Sequence, residues 1–318
     1  MPEAHQLILS GMEEGTQIFF MEAEVEQELP STSNADKKVS LWISEQEYIR
    51  PSTNTMIQVK LDPGMYIVDV SREMGIYCKK VEAYSDELFL FSNSVITDLI
   101  KEINVFWSKA DLYKENRLVH KRGILLEGFP GTGKTSIISL LSQEIINKGG
   151  IVFKVTSPKN LAFYIPFIRD SFRKIQPDTP IITIIEDIDE YDDYNTELLD
   201  FLDGKNHVEH HVVISTTNNT EDIDDTLLRP SRIDLRVEVE LPSKKVREEY
   251  FKFKKVPEDK IDELVKKSKE FSLADLKELY ICIFLLGYTV DNAIAKISVV
   301  KEKKNYLEKD SNKNTLSI

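Results

Sequence analysis

The chain has 318 residues, 41% of them hydrophobic, which is enough for one large α/β domain and a smaller companion. Its formal net charge of −13 argues against broad binding to duplex DNA or to an anionic membrane. Two cysteines, Cys78 and Cys282, make neither a disulfide framework nor a CxxC metal site, which points to a reducing compartment.

Met1 to Ser10 lacks a basic start followed by a long apolar run, and no stretch approaches ~18 consecutive apolar residues. Neither a signal peptide nor a transmembrane helix is expected, and the residence read from this is cytoplasmic. Residues 1–38 read as an acidic arm or partly ordered segment, acidic from Glu13 to Glu28, with the apolar patch Ile18-Phe19-Phe20-Met21 inside it. Residues 39–112 read as a β-rich N-terminal domain plus a linker helix. Strands are expected at 56–61, 65–70, 76–81 and 88–91, with Asp62-Pro63-Gly64 as a turn between the first two. The linker helix follows over 94–112: Ser94 is a plausible N-cap, and Ile96, Leu99, Ile100, Ile103, Phe106 and Trp107 recur at helical spacing. No nucleotide or metal motif lies in this region, and contact with a client or adaptor is its expected job.

Residues 113–242 carry the chemistry. Gly123 to Glu127 is a short apolar run suited to a buried strand, and Ser136 to Leu141 has helical spacing. Between them Gly128-Phe129-Pro130-Gly131-Thr132-Gly133-Lys134-Thr135 reads G-x-x-x-x-G-K-T, the phosphate-binding P-loop. Its glycines let backbone N–H groups turn toward phosphate oxygens at a helix N-terminus. Gly128, Pro130, Gly131, Thr132, Gly133, Lys134, Thr135 and Ser136 form the expected ATP-binding set. Lys134 is expected on the β/γ-phosphates, and the Thr135 hydroxyl on Mg²⁺.

The helix should stop at Lys148-Gly149-Gly150, with a strand at 151–155 and a mostly helical stretch from Leu161 to Ile175 that Gln176 to Pro180 breaks. Ile181 to Asp187 reads as a buried strand ending in two acids, Glu186 and Asp187. Carboxylates at the C-terminal edge of a parallel strand sit where ligands bind; one should hold Mg²⁺ and the next polarise the attacking water. A helix over 195–204 and a strand over 212–218 follow. His207, His210 and His211 lie between them with Glu209, but one short loop rarely supplies a closed metal-ligand set. Residues 243–300 read as an all-α lid, and 301–318 as a polar tail.

Taken together, residues ~115–300 resemble the AAA branch of the AAA+ ATPases. Beyond the P-loop, Ile182 to Asp189 is similar to its Walker B region, Leu198 to Gly204 to its LL-x-x-LDG helix, and Thr216-Thr217-Asn218 to sensor 1. Asp224 to Asp234 resembles the second region of homology, D-x-x-L-x-R-P-G-R-x-D. The resemblance implies an α/β fold: a P-loop NTPase core with a parallel sheet, a small α-helical lid and a separate β-rich N-terminal domain. It implies Glu186 as the metal-associated acid and Asp187 as the water-activating one. Asn218 then orients the water, and Arg229 and Arg232 act as fingers on a neighbour's nucleotide. The implied partners are a homo-oligomeric ring of six or seven copies and an unknown protein client met through the N-terminal domain.

Within that branch, the order Glu186-Asp187, the run Arg232 to Arg236 and the lid pattern Phe271 to Leu276 resemble the mitochondrial family that assembles respiratory complex III by translocating the Rieske protein. That family carries a membrane helix which this chain lacks, so a soluble relative, as in bacterial or phage-encoded AAA proteins, is the better expectation. Three departures stand out. Asp187 is one methylene shorter than the usual glutamate, Ser231 replaces the usual glycine, and Phe163-Tyr164-Ile165-Pro166 does not keep the pore-loop pattern. The two aromatics are read either as pore or as core. A remodelling ATPase, an ATP-gated scaffold that scarcely hydrolyses, and a DNA-acting motor all remain open, the last disfavoured by the acidic balance.

Overall fold

The computed structural model describes residues 16–19, 38–45, 48–56, 60–71, 75–82, 94–202, 208–219, 221 and 223–299. In chain order come β1 (Thr16–Phe19), β2 (Lys38–Glu45), β3 (Tyr48–Met56), β4 (Gly64–Ser71), β5 (Gly75–Val81), α1 (Ser94–Ser108) and α2 (Ala110–Glu115). The P-loop unit follows as β6 (Lys121–Glu127), α3 (Lys134–Asn147) and β7 (Ile151–Val155). Next are α4 (Leu161–Pro166), α5 (Arg173–Ile175), β8 (Ile181–Ile185), α6 (Asn195–Leu202), β9 (His211–Thr217) and β10 (Leu235–Glu238). The chain then closes with α7 (Lys244–Phe253), α8 (Glu258–Lys267), α9 (Leu273–Tyr280) and α10 (residues 290–299).

The order across the main sheet is β10-β6-β9-β8-β7-β4-β5, parallel throughout except for the β4–β5 hairpin. Helices cover both faces, so the inner strands are apolar on both sides and read as continuous runs. On one face Ile124, Leu126, Val152, Ile182, Ile184, Val212 and Ile214 pack against Ile137, Leu141 and Ile145 of α3 and Leu99, Ile103 and Phe106 of α1. On the other, Leu125, Phe153, Ile181, Ile185 and Val213 pack against Tyr164, Ile168, Phe172, Leu198 and Phe201. The lid buries a core of its own, including Phe251, Leu264, Leu276, Leu279, Cys282 and Ala293. Among the described residues no helix is long and apolar enough to cross a membrane.

Several expectations change. The acidic arm contains a strand, since β1 pairs antiparallel with β2 through Ile18↔Ile43. Of the strand expected at Met56–Leu61, Met56 closes β3, residues 57–59 lie outside the described residues, and Lys60 and Leu61 are not in a strand. β1–β3 form a separate three-stranded sheet, as a β-rich N-terminal part requires, but β4 pairs with β7 through Gly64↔Ile151 to Ile67↔Lys154. The boundary expected between residues 112 and 113 therefore runs through one sheet, and α1 packs on α3 as part of the core rather than as a free link. β10 escaped the sequence reading, because a four-residue edge strand has little period to show. The strand expected over Leu88–Phe91 and the tail 301–318 lie outside the described residues.

Tyr164 is core. Its ring is 1% exposed, and its hydroxyl lies 2.8 Å from Thr183 Oγ1, which lies 2.7 Å from His211 Nε2. Phe163 is partly buried against the same cluster. The α4 segment continues through a wide π-helical turn at Phe167–Phe172, which keeps Ile168 and Phe172 buried. Replacing Tyr164 by alanine is expected to lower the free energy of unfolding by about 3–5 kcal/mol in urea titration, as for other buried aromatics. A pore-lining aromatic would leave stability unchanged.

His211 has the same surroundings and a pH consequence. Burial holds its pKa well below the ordinary histidine range, helped by Lys121 and Arg173; burial lowers that of His210 as well, helped by His120. The folded state thus keeps His211 neutral while the unfolded chain takes up a proton near ~6.5. Stability is fully present above that pH and is lost below it, by about 1.4 kcal/mol per pH unit for one such group. Urea midpoints at several pH values between neutral and acid should fall on this slope, and His211→Gln should flatten it.

Candidate functional site

β6 ends at Glu127, the loop turns over residues 128–133, and α3 begins at Lys134. Gly133 caps α3 with a left-handed φ of +107°, and a Cβ there would meet Leu273 Cδ1 at 2.8 Å. A helix N-terminus behind a glycine-rich turn suits an anion. The lid closes on this loop, with Ala274 N donating to Gly131 O at 3.2 Å. A capping box at Ser272, with Asp275 three residues on, starts α9 at that contact.

Lys134 is 7% exposed. Its ammonium donates to Gly128 O at 2.5 Å, Phe129 O at 3.2 Å and Asn218 Oδ1 at 2.8 Å. Asn218, just past the end of β9, in turn donates through Nδ2 to Asp187 Oδ1 at 3.0 Å. Asp187 N donates to Thr216 Oγ1 at 2.9 Å, which ties the end of β8 to its neighbour β9. The adjacent ends of β6, β9 and β8 thus bring Lys134, Asn218 and Asp187 into one hydrogen-bonded chain. Burial lowers the Lys134 pKa against the pull of Asp187 and Asp189. Burial also raises that of Asp187, with Asp189 and Glu186 adding to it and Lys134 and Asn218 opposing.

Glu186 lies just past the end of β8 and forms an ion pair with Lys154 of the neighbouring β7. Tyr191 packs close by, its phenol pushed up to about 12 by burial and by Glu190, Asp187 and Glu186. Asp189 Oδ1 is buried without a hydrogen-bond partner. The local excess of carboxylate suits a divalent cation. The oxygens of Thr135, exposed on the first turn of α3, and of Glu186 are the hard donors Mg²⁺ takes. Among the described residues no three His, Cys, Asp or Glu side chains are grouped to hold a metal by themselves, so a cation here needs phosphate oxygens too.

The expected fingers stand apart from this chain, on the connection between β9 and β10. Arg229 is exposed, while Arg232 is half-buried and donates from Nη1 to Thr226 O at 2.5 Å. His210 and His211 part company: His211 turns inward to Thr183, and His210 Nδ1 lies 3.1 Å from His120 Nδ1. The sequence reading gave Lys154 no role, and named Thr216 only as part of the sensor 1 run. A single lysine inside the apolar strand Ile151-Val152-Phe153-Lys154-Val155 is the signal that was there to be used.

Residues 124–241 match the model of the ATPase family associated with various cellular activities (AAA). Over that stretch the chain is similar to an AAA domain. The ligand that goes with an AAA domain is ATP, with Mg²⁺ as its usual partner ion. The chain is 33% identical over 190 residues to the cell division cycle protein 48 homolog of Archaeoglobus fulgidus, covering 52% of this chain and 25% of that one. It is 28% identical over 249 residues to the 26S proteasome regulatory subunit 4 homolog of Oryza sativa subsp. japonica, covering 70% and 53%. To the ATP-dependent zinc metalloprotease FtsH of Lancefieldella parvula it is 32% identical over 168 residues, covering 47% and 26%. The chain therefore spans from a quarter to about half the length of these curated relatives.

Removing the Lys134 ammonium takes away a charge-assisted contact of ~1.5–3 kcal/mol to phosphate. Lys134→Ala should therefore bind a fluorescent ATP analogue about 10- to 100-fold more weakly at unchanged circular dichroism.

Proposed function

We propose that the chain is a Mg²⁺-dependent ATPase that assembles into a homo-oligomeric ring, a hexamer or heptamer, and uses hydrolysis to remodel, translocate or assemble a protein partner. The observation that carries the hydrolytic part is the hydrogen-bonded chain Lys134–Asn218–Asp187, with Asn218 Oδ1 2.8 Å from the ammonium and Nδ2 3.0 Å from the carboxylate. It supports this reading because an ammonium, an amide and a carboxylate are joined by two hydrogen bonds.

In this proposal the loop 128–133 and the first turn of α3 bind the phosphates through backbone N–H groups, and Lys134 swings from its loop carbonyls onto the β/γ-phosphates. Asp187 accepts the proton of the attacking water, and Asn218 fixes that water's orientation. A carboxyl whose pKa is raised by burial is a better base toward water than an exposed one. A Mg²⁺ ion would be held through Thr135 and Glu186 and would supply charge neutralisation on the phosphate oxygens. Glu186 is held meanwhile by its ion pair with Lys154. Arg229 and Arg232 serve the neighbouring subunit, where permanent charge and bidentate geometry suit phosphate oxygens. Hydrolysis then depends on assembly.

A protein client is favoured because two relatives carry the names proteasome regulatory subunit and ATP-dependent metalloprotease. The sheet β1–β3 is the proposed client-facing part. The likeness to the complex III assembly family rests on Glu186-Asp187, on Arg232 to Arg236 and on the lid pattern. Cytoplasmic residence rests on the two free cysteines, and a bacterial or phage source on resemblance alone.

An ATP-gated scaffold is the second reading, favoured by the short reach of Asp187 and its engagement with Asn218. Asp187→Asn separates the two. For the ATPase, steady-state phosphate release should fall by about 100-fold or more while affinity for a fluorescent ATP analogue stays within about twofold. Equal release by wild type and variant at every protein concentration leaves the scaffold.

A further inference from the structure

We propose that the Asp234 carboxylate is a positioning group that fastens the finger loop to the strand feeding the subunit's own P-loop. The inference rests on the assignment of Arg229 and Arg232 as fingers for a neighbour.

Gly123, near the start of β6, pairs with Val213 of β9 on one side. On its other side the β10 ladder begins one residue later, at Ile124↔Leu235. Asp234 fills the missing rung. Its N–H donates to Gly123 O at 2.8 Å, and its Oδ2 accepts from Gly123 N at 2.8 Å. Its other oxygen, Oδ1, accepts from Ser231 N at 3.0 Å. One carboxylate thus bridges the P-loop strand and Ser231, one of the two residues between the arginines.

The loop itself is closed tightly. Arg232 N and Ile233 N both donate to Arg229 O, at 3.1 and 3.2 Å. Ser231 sits at a φ of +78°, a left-handed position that a non-glycine residue keeps when its surroundings hold it there. The loop also lies directly on the strand: a Cβ on Gly123 would come within 1.8 Å of Arg232 O. Backbone from Arg229 to Asp234 and backbone at Gly123 therefore move as one body. Gly123 stands five positions before Gly128, on the strand that ends in the phosphate loop. A subunit's fingers are in this way set by the same strand that sets its own nucleotide site. A misplacement of ~1 Å in a group acting on a transition state can lower turnover about 100-fold.

The test is subunit complementation. Lys134→Ala holds ATP weakly but donates both fingers; Arg232→Ala holds ATP but donates a broken finger pair, Arg229 alone. Each alone should be inactive, and mixed assemblies should recover phosphate release. Silence of that mixture, with active wild type, means that fingers do not act in trans, and both the finger assignment and this inference fall. Where it recovers, Asp234→Ala decides the matter. We expect its turnover to fall about tenfold or more, with fluorescent ATP-analogue affinity within about twofold. Mixing with Lys134→Ala should restore release, and mixing with Arg232→Ala should not. Wild-type turnover, loss of nucleotide affinity, or rescue by Arg232→Ala instead of Lys134→Ala would each overturn the proposal. If Asp234→Ala does not fold, Asp234→Asn, which keeps one acceptor oxygen, should fall in the same complementation class with a smaller loss; a different class refutes the proposal.

Discussion

A buried ammonium surrounded by oxygens organises this molecule. Lys134 is mostly out of water and has no carboxylate among its hydrogen-bond partners; it is satisfied by two loop carbonyls and by Asn218. A desolvated charge with only partial compensation is costly, and the cost is offset when phosphate arrives. The parallel register makes this possible. Strands β6, β9 and β8 end beside one another, with Leu126↔Thr216 and Ile185↔Ser215 in register, so residues distant in sequence meet at one edge. The helices on both faces exist to hold that register, which is why large apolar side chains fill nearly every inner strand position.

What was legible in the sequence was local. The glycines, lysine and threonine of the P-loop signal their conformation through their own backbone requirements, and the acids after β8 stand out because they end an apolar run. Lys154 carries a weaker version of the same signal. What was not legible depends on pairing between distant segments. Residues 65–70 and 76–81 read as strands, but nothing in their alternation tells that they pair with each other or that Gly64 to Ile67 lie against Ile151 to Lys154. The buried state of Tyr164 was hidden for a similar reason, because its partner Thr183 lies on another strand. Phe163-Tyr164 kept the residue types of a pore loop and lost its backbone. Pro166 stands inside a helix there, where a flexible loop would have needed glycine.

The loop proposed to carry the fingers is closely stitched within its own chain. Arg232 donates to Thr226 O of its own loop, and Thr226 N donates to Asp224 Oδ1 at 2.8 Å. Backbone hydrogen bonding from Thr226 holds the Asp224 carboxyl below the usual range, and both arginines add to this. Each contact is internal to one subunit, yet the two guanidinium groups stand apart from its own chain of Lys134, Asn218 and Asp187. A loop stitched this closely presents its charges in a fixed place, which lowers the entropy lost when a partner is engaged.

The inverted order Glu186-Asp187 has a backbone reason. β8 stops at Ile185, and Asp187 adopts a φ of +50° while its N–H is pinned by Thr216 Oγ1. Among non-glycine residues the left-handed region is entered most readily by asparagine and aspartate, because a short polar side chain bonds locally. The Asp187 carboxylate bonds across to Asn218, past the end of the neighbouring strand. A glutamate at this position would reach farther toward water but would fit the left-handed turn less well. The longer acid is instead at position 186, where it can reach Lys154 on the adjacent strand. Reach is thus exchanged for a carboxylate whose position is fixed by the adjacent ends of β8 and β9.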